Sequence, residues 1–180
     1  MSLFQNILII AILITGAGFL SLTEIALAGA RKVKLKILAE SGDDRAQKVL
    51  NLQEHSAEFF AASQIGLNAI AILGGILGEA AFRPYFVTLI DRVYVGPWTD
   101  TIGFTLSFTL VTSLFILFAD LMPKRLAMIA PEKIAISVIN PIQVFIKICK
   151  PLAWMINAIA NLLFRLFKVN TIRDDNITFA

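Results

Sequence analysis

Long hydrophobic runs alternate with short polar stretches along this chain. A helix needs about 20 apolar residues to cross a bilayer. Three runs reach that length, and they cover residues 3–28, 57–81 and 101–122. Small residues in the first two runs, such as Gly18 and Gly75, favour close packing between helices. The pattern therefore predicts an all-α integral membrane domain with three transmembrane helices.

The stretch between the first two runs has the pattern of amphipathic helices. Residues 31–48 contain six Lys or Arg side chains, and apolar residues alternate with these charges. The sequence Ser41-Gly42-Asp43-Asp44 is typical of a turn and divides the stretch into two parts. Basic amphipathic helices lie in the headgroup region, with their apolar side toward the hydrocarbon. We expect two juxtamembrane interfacial helices here, in contact with membrane lipid.

Residues 134–167 are hydrophobic, but prolines and lysines interrupt them. Pro141 divides the first part, and Lys147, Lys150 and Pro151 separate it from the second part. Neither uninterrupted piece reaches the ~18–20 apolar residues that a transmembrane helix needs. We therefore expect a bent hydrophobic hairpin in the cytoplasmic leaflet instead of a fourth transmembrane helix.

Basic residues set the predicted orientation. The loop after the first run is the most basic, and the loop after the second run carries Arg83 and Arg92. The segment after the third run carries Lys124, Arg125 and Lys133. Loops rich in Lys and Arg stay in the cytoplasm. We predict a multi-pass protein of the bacterial inner membrane, with its N-terminus outside and its C-terminus in the cytoplasm.

Composition narrows the chemistry that the chain can perform. It is 57% hydrophobic and carries a net charge of +3, without interleaved aromatic and basic residues, so we expect no nucleic-acid partner. Cys149 and His55 are the single residues of their types, which excludes internal disulfides and multi-histidine metal sites. The sequence shows no nucleophile beside a base and no glycine-rich phosphate loop, so we expect no enzyme activity.

Five polar side chains fall at similar depth inside the predicted transmembrane helices. They are Ser21, Glu24, Gln64, Asn68 and Asp120. The two on the first helix are three residues apart and the two on the second are four apart, so each pair shares one helix face. Hydroxyl, amide and carboxylate oxygens suit Mg²⁺, Na⁺ or an organic ammonium. We predict one binding site for a small cation, reachable from the cytoplasm.

Structural roles are the alternative for these side chains, because a charge in the hydrocarbon needs either a partner or a purpose. Glu24 could pair with Arg31 or Lys32 at the interface. Asp120 could pair with Lys124, which lies one helical turn further along. The two amides of the second helix could simply join helices by hydrogen bonds.

Three motifs at these positions resemble the transmembrane domain of the CorB/CorC family, to which the cyclin M (CNNM) proteins belong. They are Ser21-Leu-Thr-Glu24, Gln64-Ile-Gly-Leu-Asn68 and Ala119-Asp120-Leu-Met-Pro123-Lys124. The resemblance covers residues 1–170. It implies three spans with juxtamembrane helices, a homodimer, and Mg²⁺ efflux that in some members is coupled to Na⁺.

The resemblance also implies roles for individual residues. The implied metal ligands are Ser21, Asn68 and Asp120. Backbone carbonyls near Gly66 and Ala119 would assist them, and Pro123 with Lys124 would break the third helix and expose carbonyl groups. Family members usually carry Gly-Glu where this chain has Ala119-Asp120. They often carry two Asn where it has Leu67-Asn68, and both differences change the near-octahedral ligand set that Mg²⁺ requires.

Residues 30–36, 64–75 and 117–130 resemble in particular the PaeA/YtfL branch of the family, which is associated with export of cadaverine and putrescine. A diamine needs acidic groups for its ammonium ends and an apolar wall for its methylenes. Glu24 and Asp120, together with Leu67, could provide both.

The resemblance therefore implies an inner-membrane efflux transporter for Mg²⁺ or a polyamine, with Na⁺ as the candidate coupling ion. An ion-binding membrane sensor or scaffold that regulates other transporters is the alternative. Family members continue into CBS domains after the transmembrane domain. Residues 171–180 resemble the start of the linker to them, so we expect such domains to follow.

Overall fold

The computed structural model describes the backbone of residues 3–166 and the side chains of residues 4–57, 59–152 and 155. Within this range the chain is entirely helical and contains no strand. The elements are α1 (Leu3–Gly29), α2 (Lys32–Glu40), α3 (Asp44–Glu54), α4 (Ser56–Asp91), α5 (Thr99–Leu114), a π-helical segment (Phe115–Leu121), α6 (Met122–Ile129) and α7 (Pro131–Leu166). The predicted linker at 171–180 lies outside the described residues.

Four helices of the described region are long and apolar enough to cross a membrane, where three were predicted. They are Phe4–Gly29, Phe59–Asp91, Thr99–Ile129 and Pro131–Leu152. The first three correspond to the predicted spans. The fourth falls in the region where the sequence favoured a hairpin.

The prediction of a bent hairpin at 134–167 is wrong, because α7 runs from Pro131 to Leu166 as one helix. Pro141 and Pro151 lie inside it. A proline removes one backbone hydrogen bond but has a helical φ, so a long helix can continue through it. The residues between Pro141 and Pro151 also include no Gly, Asn or Asp, which are the residues that favour a chain reversal.

Two prolines predicted to lie outside helices are also accommodated inside helical segments. Helix α4 continues past Pro84 to Asp91, so the loop that follows is shorter than expected. The third span does not end at Pro123 and Lys124, because α6 continues it to Ile129. Pro123 lies in the first turn of α6, directly after the π-helical segment, where the helical period changes. Where the sequence predicted a helix break, the structure therefore has a change from a π-helical to an α-helical period.

The two predicted amphipathic helices are confirmed as α2 and α3. Gly42 makes the turn between them with a φ of 97°, a conformation that glycine adopts without strain. Leu35, Ala46 and Val49 are fully buried in a core with α1, α4 and α7. Their apolar sides therefore pack against protein, while Val33 stays exposed.

Polar contacts hold this juxtamembrane layer to the long helices. Gln53 donates from Nε2 to the carbonyl oxygens of Leu27 (2.8 Å) and Ala30 (2.9 Å), at the end of α1. These carbonyls lack helical partners, so Gln53 acts as a C-terminal cap. Glu132 of α7 is buried and accepts an ion pair from Arg31 at 3.1 Å. These contacts join the C-terminal end of α1 to α3 and the segment after it to α7.

A second core lies where α1, α4 and the third span meet. Ile10, Ala17, Ala81, Val111 and Phe115 are buried there. Glycines of α4 make this packing possible, as a Cβ at Gly74 would overlap the Phe115 ring and a Cβ at Gly78 would overlap Val111. The close approach sets the position of the third span against α4.

Candidate functional site

A cavity of about 320 Å³ lies between α1, α4 and the π-helical segment. All five polar side chains singled out from the sequence line it, together with one basic residue and an apolar wall. The lining residues are Ala17, Ser21, Glu24, Gln64, Leu67, Asn68, Ala71, Phe115, Ile116, Ala119, Asp120 and Lys124. The structure thus brings the three sequence motifs together in one place, as their depth predicted.

Helix α1 contributes a buried hydroxyl and a half-buried carboxylate. Ser21 is 1% exposed, and its Oγ donates to Asp120 Oδ1 at 3.4 Å. Glu24 follows three residues later on the same face and borders the cavity. Within the described residues it has no ion-pair partner, since Arg31 binds Glu132 instead. The alternative in which Glu24 pairs with Arg31 is therefore wrong.

Helix α4 contributes the amides of Gln64 and Asn68, four residues apart on one face. Both side chains are exposed. In the part of the chain that the structure describes, neither amide forms a hydrogen bond to another helix. The alternative in which they join helices within this chain is not observed, and both amides remain available to a ligand.

The π-helical segment presents Asp120 to the cavity. The Met122 N–H donates to the carbonyl of Leu117, five residues back, which widens the turn that carries Asp120. Pro123 then has no N–H to donate, so one carbonyl of the preceding turn has no helical donor. Gly18 lets α1 approach closely, because a Cβ there would lie 3.3 Å from the Phe118 carbonyl oxygen. Single π-helical turns of this kind occur frequently at functional sites.

Lys124 contributes a positively charged side chain to the site. Its Nζ lies 2.5 Å from Asp120 Oδ1, across one turn of helix. This pair was predicted as the structural alternative to a binding role for Asp120. The pair is present, and both of its side chains line the cavity. Glu24 and Asp120 carry two formal negative charges against one positive charge on Lys124. The site therefore keeps a net negative charge.

The resemblance implies assisting backbone carbonyls near Gly66 and Ala119, and the structure places only one of these two residues at the cavity. Ala119 lines the cavity. Gly66 does not, since a Cβ there would lie 2.7 Å from the Phe145 ring and 2.9 Å from Leu20. Its position on α4 serves helix packing.

The implied metal ligands Ser21, Asn68 and Asp120 supply a single carboxylate, and the Lys124 ammonium already contacts it. The described residues contain no group of three or more His, Cys, Asp or Glu side chains that could hold a metal ion. Mg²⁺ prefers an octahedral set of oxygens, usually with one or two carboxylates. A cation that binds Asp120 therefore has to share this carboxylate with Lys124 or displace it.

Comparison with known proteins identifies the family. A profile of the cyclin M transmembrane N-terminal domain matches residues 8–179. The chain belongs to the CNNM family. A polyamine export protein of Escherichia coli K12 is 51% identical over 176 residues, which is 98% of this chain and 39% of that protein. One from Haemophilus influenzae is 47% identical over 178 residues, 99% of this chain and 41% of that protein.

A more distant relative is similar over the same region. A UPF0053 protein of Synechocystis is 30% identical over 170 residues, which is 94% of this chain and 38% of that protein. The chain thus spans about 39% of the length of the first of these curated relatives. Its place as a multi-pass membrane domain of the CNNM family follows from the profile match and from its apolar helices.

Proposed function

We propose that this CNNM domain exports a polyamine, such as putrescine or cadaverine, across the bacterial inner membrane. The observation that carries the proposal is the ion pair between Lys124 and Asp120 inside the cavity. A lysine side chain ends in a primary ammonium on a four-carbon chain, which is the chemistry of one end of a diamine. The names of the relatives at about 50% identity support the same substrate class.

The cavity has the two features that a diamine requires. Glu24 and Asp120 can each accept hydrogen bonds from an ammonium, and charge-assisted bonds of this kind are the strong ones. Leu67, Phe115 and Ile116 form an apolar wall against which methylene groups can lie. Desolvating a methylene contributes about 0.8 kcal/mol. A hydrated metal ion would gain nothing from this wall.

The proposal includes a topology. Helices α1, α4 and the third span cross the membrane, with the N-terminus outside, and α7 lies along the cytoplasmic interface. Lys133, Lys147 and Lys150 along α7 support this placement, since snorkelling lysines favour an interface. Lys48 of α3 also donates to Asn140 of α7 at 3.1 Å.

The proposal also includes a homodimer. Gln64 and Asn68 are exposed on a single copy at the depth of the hydrocarbon, where unsatisfied polar groups are costly. A second copy that covers this face would enclose the cavity. It would also shield Asp120, whose side chain is 47% exposed on one copy.

Binding and flux together test the proposed function. Isothermal titration of the purified protein with putrescine, cadaverine and Mg²⁺ should show binding of the diamines alone. Glu24→Gln and Asp120→Asn should each weaken it by about tenfold, because each removes a charge-assisted hydrogen bond. Asp91→Asn is the matched control, since Asp91 is exposed at the end of α4 and does not line the cavity.

Proteoliposomes loaded with labelled putrescine provide the second measurement. Export that depends on both carboxylates would establish the transporter, and a dependence on the Na⁺ gradient would identify the coupling ion. Selective Mg²⁺ binding that is lost in Asp120→Asn would overturn the choice of substrate. Diamine binding without flux would favour the sensor alternative.

A further inference from the structure

A second cavity, of about 380 Å³, lies between α4 and α5, toward the end of α4 away from Asp120. Its α4 side is formed by Ala71, Gly75 and Glu79, and its α5 side by Phe104, Phe108 and Thr112. The proposed function does not use it.

The two cavities lie next to each other along α4. Ala71 lines both of them. On α4 the lining positions Gln64, Asn68, Ala71, Gly75 and Glu79 recur every three or four residues, which places them on one face. At 1.5 Å per residue, this face extends about 22 Å, which is most of the ~30 Å thickness of the hydrocarbon.

Gly75 leaves open space on this face of α4, in the groove that the two cavities form. A Cβ at Gly66, Gly74 or Gly78 would collide with a neighbouring side chain, so these three glycines serve packing. A Cβ at Gly75 would meet nothing within 4 Å. The missing side chain at Gly75 therefore leaves space in the groove and serves no helix contact in this chain.

The far end of the groove is negatively charged. Glu79 is 17% exposed, and its Oε1 lies 3.5 Å from Nη1 of Arg83. The same guanidinium is bound by Asp100 through two hydrogen bonds. Two carboxylates thus share one cation, which leaves a net formal charge of minus one. Asp100 makes the closer contact with Arg83. Glu79 is therefore the carboxylate that keeps more of its acceptor positions for hydrogen bonds to a ligand.

Aromatic rings complete the site. Phe104 and Phe108 stack with their centroids 6.0 Å apart. The Arg83 guanidinium already lies 5.8 Å from the Phe104 centroid, so this ring accepts a cation on its face. The groove therefore offers a carboxylate, a cation-binding ring and an apolar wall.

We propose that this second cavity is an outward binding site for a linear alkyl diammonium. The substrate would bind there after it leaves the Asp120 cavity. The inference rests on the proposed export function. One ammonium would bind Glu79 and the methylenes would lie against Phe108 and Gly75. Asn68 and Glu79 are 11 residues apart, about 16 Å along α4, so a short diamine would occupy the two cavities in turn and not together.

Gly75→Leu tests the path, because leucine would fill the groove without touching the Asp120 cavity. We expect putrescine binding to stay within about twofold of wild type while efflux from proteoliposomes falls at least tenfold. Ala69→Leu is the matched control, as Ala69 is exposed on α4 but lines neither cavity. Gly75→Val is the second variant should leucine disturb folding, which the melting temperature reports.

A double variant separates a binding role of Glu79 from a structural one. Glu79→Gln should lower efflux several-fold on either reading, since it also leaves Arg83 partly unpaired. If Glu79 only neutralises Arg83, then Glu79→Gln with Arg83→Gln should restore efflux. If Glu79 binds the substrate, efflux should stay low in the double variant.

The outcomes distinguish this inference from the proposed function. A wild-type protein that neither binds nor transports putrescine overturns the proposed function. A wild-type protein that transports putrescine, with Gly75→Leu and Gly75→Val at the same rate, overturns the second site alone. Restored efflux in the double variant overturns it as well.

Discussion

Lys124 Nζ lies 2.5 Å from Asp120 Oδ1, and both side chains border the same cavity. Both residues belong to the third span, where a charged side chain needs a partner, so each neutralises the other. If the cavity binds a polyamine as proposed, the Lys124 ammonium is a tethered competitor of the substrate, which must displace it from Asp120 to bind.

Lys124→Met should therefore bind putrescine more tightly, by about three- to tenfold, because the internal competitor is gone while the apolar stem is kept. Isothermal titration measures the change. Arg125→Met is the control, since Arg125 is exposed and does not line the cavity. Unchanged or weaker binding in Lys124→Met would mean that Lys124 supports the site and does not compete for it.

Ser21→Ala should weaken putrescine binding by about three- to tenfold, since the buried hydroxyl donates to Asp120 and holds its carboxylate in place. Ser113→Ala provides the comparison. The Ser113 hydroxyl bonds the carbonyl of Thr109 in its own helix, at 2.7 Å, so its loss should leave the affinity unchanged. Equal effects of the two substitutions would remove the specific role of Ser21.

Three glycine substitutions on α4 should divide into two classes. Gly74→Ala and Gly78→Ala force a methyl group into Phe115 and Val111, and overpacking of this kind costs about 1–3 kcal/mol. Gly75→Ala adds the same methyl group to open space and should leave the melting temperature unchanged or slightly raised. Thermal unfolding in detergent checks all three. A loss of stability in Gly75→Ala that matched the others would show that its surroundings are packed.

Cys149 reports the placement of α7. It lies 18 residues after Pro131, about 27 Å along the helix. If α7 follows the cytoplasmic interface, a membrane-impermeant maleimide should label Cys149 in inside-out vesicles and not in right-side-out vesicles. If α7 crosses the membrane, the labelling should occur from the opposite side. Cys149→Ser, which leaves no thiol in the chain, supplies the blank.

The sequence predicted most of the helical layout and the meeting of the polar groups. Hydropathy located α1, α4 and the third span, since a long apolar run has few alternatives to a membrane helix. The depth and spacing of Ser21 and Glu24, and of Gln64 and Asn68, placed them at one level on defined faces. The cavity brings these side chains together with Asp120.

The errors come from prolines and from the assumption of one helical period. Pro84, Pro123 and Pro141 were interpreted as interruptions, but each keeps a helical φ inside a helix that its neighbours stabilise. Hydropathy does not report whether Lys147 and Lys150 interrupt an apolar run or extend from one side of a continuous helix. The i,i+4 spacing of Asp120 and Lys124 indicated a pair, but not that it would lie in the site.

The number of residues in the π-helical segment is fixed by the contacts on either side of it. An α-helix turns about 100° per residue, and a π-helical turn absorbs one extra residue within the helix. Deleting one residue between Phe115 and Leu121 would restore the α-helical period there. Either Asp120 and Lys124 would then rotate out of the cavity, or Val111 would leave its place on Gly78. This stretch should therefore tolerate changes of residue type far better than insertions or deletions.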